Sequence, residues 1–163
     1  MSLTFNADEI LEIAQRIETN GMNFYSTAAE VVSEPEAREL LSGLAEWEVQ
    51  HEKLFSEWRA ALTPEEKQPT VFDPDNEIGL YLAATADKVV FTSKMQPEEM
   101  FGGDPSYKHI LELALERERD AVVFYAATRD LVPTAQGRDK IDALMKEEVS
   151  HVALIQQRLR ELG

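Results

Sequence analysis

Apolar residues recur at helical spacing in four long segments of this chain. The first runs from about Asn6 to Val32 and the second from about Pro35 to Leu62. The third runs from about Pro105 to Leu131 and the fourth from about Thr134 to Leu162, entered through Pro133. Asn6 is the expected N-cap of the first, with Asp8 and Glu9 in its first turn. Ser33 and Glu36 read as a capping box for the second, and Asp104, after Gly102 and Gly103, as the cap of the third. Short joints make each consecutive pair an antiparallel hairpin. Between the pairs lies a connection, 63–104, whose middle "NEIGLYLAATADKVVF" reads as a shorter helix. The expected fold class is all-α: one domain over 1–163, an antiparallel four-helix bundle with a long crossover. Hairpin one covers about 6–62 and hairpin two about 105–162.

The two hairpins repeat one another at an offset of 100 residues. Residues 6–62 and 106–162 align without a gap and share 15 identities in 57 positions. Ordinary composition gives about four by chance. The identities include Glu18/Glu118, Tyr25/Tyr125, Arg38/Arg138, Glu48/Glu148 and His51/His151. The pattern reads as a duplicated helical hairpin.

Six of these repeated residues place polar groups where the hydrophobic pattern calls for apolar ones. Glu48 and His51 fall in the stripe Leu41, Leu44, Glu48, His51, Phe55, and Glu148 and His151 fall in the matching stripe Ile141, Leu144, Glu148, His151, Ile155. At a spacing of three, two side chains are about 60° apart around a helix and roughly 4.5 Å apart along it, so each pair can reach one point. Glu18 and Glu118 sit likewise on the apolar faces of their segments. Four buried carboxylates cost several kcal/mol each unless compensated. Arg16 and Arg38 lie off the stripes. Two divalent cations balance four carboxylates, and carboxylate oxygen with imidazole suits iron or manganese, and less specifically zinc. A glutamate from each of two helices and Glu-x-x-His from the other two is a di-iron carboxylate constellation. Tyr25 and Tyr125, seven residues after Glu18 and Glu118, share that face and can hydrogen-bond the carboxylates. His109 lies off the repeat and reads as an ordinary polar residue, and Trp47 and Trp58 read as packing residues. Glu147 is about 100° around the helix from Glu148, and its counterpart is Trp47, which sets it outside the site.

Composition narrows the partners. The 163 residues carry 31 acidic and 16 basic side chains, a net charge of −15. That field repels nucleic acid and anionic membrane surfaces. The absence of cysteine excludes disulfides, thiolate zinc sites and iron–sulfur clusters held by these residues. No apolar run reaches the length of a membrane span, and "MSLTFNADEI" lacks the pattern of a signal peptide. The expectation is a cytoplasmic protein.

The motifs "IETNGMNFY", "EVQH", "ERDAVVFY" and "EVSH" resemble those of the ferritin-like superfamily, and within it the rubrerythrin-related proteins. The resemblance spans all four long segments. It implies two iron ions per chain, with Glu48 and Glu148 bridging them, Glu18 and Glu118 as terminal ligands, and one histidine on each metal. It implies an oxidoreductase that reduces peroxide or dioxygen, in oxidant defence or iron handling; the expected assembly is a homodimer. The chain departs from rubrerythrin at Ala121, where that family carries a further glutamate, and it carries no rubredoxin domain. Six ligands remain, and the expected electron donor is an external protein. The competing expectations are a ferroxidase and iron-storage subunit, manganese catalase-like chemistry, and a helical module that uses metal for stability without turnover.

Overall fold

Helix α1, Ala7–Val31, begins as a capping box: the Asn6 side chain accepts from the Glu9 amide and Glu9 accepts from the Asn6 amide, both at 3.0 Å. The computed structural model describes residues 6–68, 75, 77–92, 95–132 and 135–163. Helix α2 spans Pro35–Ala61, α3 Glu77–Thr92, α4 Pro97–Met100, α5 Tyr107–Thr128 and α6 Ala135–Leu162. A 3₁₀ turn, Arg129–Leu131, closes α5. No strand occurs among the described residues. Pro133 and Thr134, the expected entry to the fourth segment, lie outside them.

Two expected caps are corrected. The α2 N-cap is Glu34, with Pro35 at the first helical position, and no side chain caps it. Ser33 stands one residue too early to reach an amide of the first turn, and its hydroxyl bonds the Glu34 carboxylate instead. The α5 cap is Ser106, whose hydroxyl accepts from the His109 amide. Asp104 accepts from the Ser106 amide at 3.0 Å, which is a turn before the helix and not its cap. The crossover also holds the four-residue α4, which helical periodicity is too short to register. Gly102 and Gly103, at φ +56° and +82°, reverse the chain between α4 and α5 in a conformation that disfavours other residues.

Both hairpins are antiparallel, and the polar contacts between their ends show it. Arg59, near the end of α2, holds Asp8 at the start of α1 through two hydrogen bonds of 3.1 and 3.0 Å. Lys108, at the start of α5, donates to the carbonyl of Gly163 beyond the end of α6. Helix α3 lies on the α1 and α5 side of the bundle. Asn20 of α1 donates to the Val89 carbonyl, and Lys88 donates to Asp120 of α5. Positions 20 and 120 are repeat counterparts, so each hairpin contributes one tether to the crossover helix.

The core falls into two apolar clusters. One gathers Ile10, Leu11, Phe55, Phe124 and Leu144, and the other gathers Phe24, Leu41, Leu44, Ile110 and Ile155. On each long helix the break between clusters comes at the same place, at Glu18, at Glu48 and His51, at Glu118, and at Glu148 and His151. Burying each large apolar side chain contributes about 1.5–3 kcal/mol. These two clusters therefore supply the cohesion that holds a charged layer between them.

Candidate metal centre

All six of these charged-layer side chains are buried. Their oxygen and nitrogen atoms meet in two groups. Glu18, Glu48, His51 and Glu148 form the first, with ligand-capable atoms within 4.8 Å of one another. Glu118, Glu148 and His151 form the second. Glu148 belongs to both. His51 Nδ1 lies 3.3 Å from Glu18 Oε2 and 3.0 Å from Glu148 Oε1. His151 Nδ1 lies 3.4 Å from Glu118 Oε2 and 3.0 Å from Glu148 Oε2. Each imidazole thus turns the same nitrogen toward one glutamate of its own hairpin and toward the shared Glu148.

Electrostatics fit a cation site. Burial pushes the Glu18 carboxyl well above the usual carboxylate range, and burial followed by the neighbouring Glu18 charge does the same to Glu48. Burial raises Glu118 to about 7. Burial opposes the charged form of Glu148 too, but the flanking His151 and His51 outweigh it and hold this carboxyl well below the ordinary value. Burial would lower both histidines, yet the carboxylates around them push each up to about 9. Protons therefore stand in for missing positive charge. One buried oxygen, Glu18 Oε1, has no hydrogen-bond partner among the described residues, and Glu148 Oε1 faces only His51 Nδ1, at 3.0 Å. An orphaned buried carboxylate oxygen costs about 1–3 kcal/mol or more, and a coordinated cation removes that cost. Gly21 adds a steric fit: a Cβ there would stand 2.7 Å from Glu48 Oε1, so only glycine leaves this carboxylate its place.

A sequence model of the rubrerythrin family matches residues 9–159. The chain belongs to the rubrerythrin family. Among solved structures it is similar to a ferritin-like diiron-carboxylate protein from Thermotoga maritima, with a TM-score of 0.75 and 19% identity over 100% of both chains. That likeness supports the helical-bundle fold. Comparison with curated proteins finds no match. No described helix of this rubrerythrin-family chain is long and apolar enough to cross a membrane.

The groups around the six residues are less symmetric than the sequence repeat. The Tyr25 hydroxyl donates to Glu118 Oε1, across the two hairpins, as a tyrosine on this face should. Tyr125 differs: its hydroxyl is buried and has no partner among the described residues, and its ring packs against Phe55 and Phe124. His109 faces Glu112 at 3.7 Å at the start of α5, away from the cluster. Trp58 packs on Phe55, and Trp47 stacks on the imidazole of His151 at 4.5 Å and 9°.

Glu147 corrects the sequence reading. Its Oε2 accepts from His51 Nε2 at 2.9 Å. A residue 100° from the inward face of its own helix points along the seam toward the next helix, and here that neighbour is α2. The available signal was chemical: a buried imidazole offering one nitrogen to a cation needs an acceptor for the other. Arg117, also passed over, lies 4.4 Å over the Phe24 ring, beside the ligand position Glu118.

Proposed function

We propose that this chain is a non-haem di-iron oxidoreductase that reduces peroxide or dioxygen, in oxidant defence or iron handling. One observation carries the reading: four buried carboxylates and two imidazoles form one layer in which Glu148 belongs to both ligand groups. Two iron ions per chain fit that donor set. Glu18, Glu48, His51 and Glu148 would hold one, and Glu118, Glu148 and His151 the other. Bound iron supplies the electron changes that reducing an oxidant requires.

The chain's own residues position that chemistry. Glu147 accepts a hydrogen bond from the Nε2–H of His51, which keeps the proton on Nε2 and leaves Nδ1 free to face the cation. Tyr25 fixes the orientation of Glu118 through its hydrogen bond. The apolar clusters above and below the layer lower the local dielectric and strengthen the charge interactions within it. Electrons come from an external donor.

The test is an anaerobic Fe(II) titration, followed by peroxide and, separately, by dioxygen, read by near-ultraviolet absorbance. The expected result is saturation at two irons per chain and fast oxidation by peroxide. Fast oxidation by dioxygen alone would make the chain a ferroxidase. Absence of saturation, or saturation unchanged in Glu48→Ala and His151→Ala, would remove the di-iron reading.

A further inference from the structure

A cavity of about 410 Å³ opens between α1, α3 and α5 and reaches the carboxylates Glu18, Glu48 and Glu118. Its size separates two kinds of occupant. A water needs only about 10–15 Å³ of such space, so a two-atom oxidant leaves nearly all of it empty. Sites for organic ligands span roughly 300–1,000 Å³. The walls are mostly apolar, with Ile17, Leu113, Ala121, Val89 and Phe124 among them.

The charged groups on the walls are unequal. Lys88 is paired with Asp120. Glu116 stands exposed at the rim, where water screens it. Arg117 is half-buried in the wall, has its guanidinium over the Phe24 ring, and has no carboxylate at ion-pair distance among the described residues. Its repeat counterpart is Ile17 on the opposite wall. Position 121 is equally telling. Ala121 lines the cavity from α5 and its counterpart Gly21 lines it from α1, but at Gly21 a Cβ would run into Glu48. The duplicated hairpin therefore lines the cavity with a mostly apolar wall and, on one side only, with an arginine that has no carboxylate at ion-pair distance among the described residues.

We infer that this cavity binds a small organic carboxylate, an apolar body with one anionic head, seated on Arg117 next to the carboxylate cluster. A planar guanidinium matches a carboxylate with two parallel hydrogen bonds. Once two cations neutralise the four glutamates, Arg117 is the uncompensated charge on the buried wall. This deepens the oxidoreductase reading and rests on it only for the metal at the floor of the cavity.

Phenylacetate and its neutral analogue phenylacetamide test the inference by calorimetric titration of the Zn(II)-loaded chain, with the metal-free chain in parallel. Phenylacetate is expected to saturate at one per chain and to bind about ten- to a hundredfold more tightly than the amide, the range of a charge-assisted hydrogen bond. Arg117→Gln should erase that preference. Ala121→Leu should abolish binding of both compounds while metal content and melting temperature hold, and Thr85→Phe blocks the same space from α3 should the first variant fold poorly. Equal affinity for acid and amide, acid binding that survives Arg117→Gln, or the absence of saturable binding would overturn the inference. A chain that takes up no Zn(II) sinks the metal reading instead, and its metal-free titration still reports on the cavity.

Discussion

The two hairpins agree at the charged positions and differ around them. Glu18, Tyr25, Glu48 and His51 have identical counterparts at 118, 125, 148 and 151. The adjoining positions have diverged: Ile17 against Arg117, Gly21 against Ala121, Trp47 against Glu147. Even an identical pair has split, since Tyr25 bonds Glu118 and Tyr125 bonds nothing described. The lesson is about which constraint acts where. A buried charge must be balanced on both sides of the layer, so the charged set cannot drift in one half alone. Its surroundings carry no such balance, and there the halves have become two different walls of one site.

The sharpest break of that comparison is Glu148→Ala. Glu148 falls in both candidate ligand groups, whereas its repeat counterpart Glu48, also expected to bridge, falls in one. Metal content after gel filtration should fall from two per chain to near zero in this variant, and to about one in Glu18→Ala. Removing Glu148 also strips both histidines of a buried anionic neighbour, and the cost to the metal-free fold is about 3–5 kcal/mol. Equal metal loss in the two variants would show that Glu148 is not shared.

Next in size is the pH dependence of the metal-free chain. His51 and His151 are raised to about 9, above the unfolded value of about 6.5. Their contribution is complete below about 6.5 and is lost as pH rises through about 9. Glu118, raised to about 7, acts in the same sense: the folded chain holds its proton more tightly, and stability is lost between about 4.5 and 7. Melting temperature without metal should therefore fall from about pH 6 to about pH 9.5, by about 1 kcal/mol or more, roughly 2–4 °C at least. Cations replace the protons, so the loaded chain should show a flatter profile. Matching profiles with and without metal would deny that protons and cations exchange in this layer.

The divergence at 47 and 147 predicts unequal metal positions. Glu147 orients His51 by a hydrogen bond, while Trp47 restrains His151 only by stacking. Loss of a partner that orients a ligand histidine costs about ten- to a hundredfold in metal affinity. In a Co(II) titration followed by its visible absorption, Glu147→Ala should weaken one of two binding steps by that factor, and Trp47→Ala should leave both within a few-fold. Trp47→Glu should bring the two steps closer together. Two steps already equal in the unaltered chain would refute the asymmetry.

Much of this was legible in the chain before its structure. The four long helices follow from apolar spacing, and α3 was visible as a short amphipathic run. The six charged positions were legible because the repeat puts the same misplaced polar residues in both halves. The caps of α2 and α5 were misread because a one-residue shift of a helix start changes which hydroxyl reaches an amide. Glu147 and Arg117 were missed for a different reason. Each lies at the flank of its own helix, and only the packing of neighbouring helices decides whether a flank meets solvent, a histidine or a cavity.

The smallest effect, and the finest test of the comparison, is exchange at 21 and 121. Gly21→Ala places a Cβ 2.7 Å from Glu48 Oε1 and 2.8 Å from Cδ, so the carboxylate must give way. The side chain is flexible, and the helix gains about 0.5–1 kcal/mol from losing a glycine. The metal-free chain should thus melt within a few degrees of its original temperature, and the change should appear in weaker metal affinity. Ala121→Gly should do the reverse. It costs the same 0.5–1 kcal/mol or so, about 1–4 °C, with metal affinity unchanged, because Ala121 borders the cavity and a glycine there adds no atom beside the carboxylates. If both substitutions move melting temperature and neither moves metal affinity, Glu48 is not held by the space that Gly21 leaves. If both move affinity, then the wall at Ala121 supports the metal layer as closely as the wall at Gly21, and the two halves are more alike than their side chains indicate.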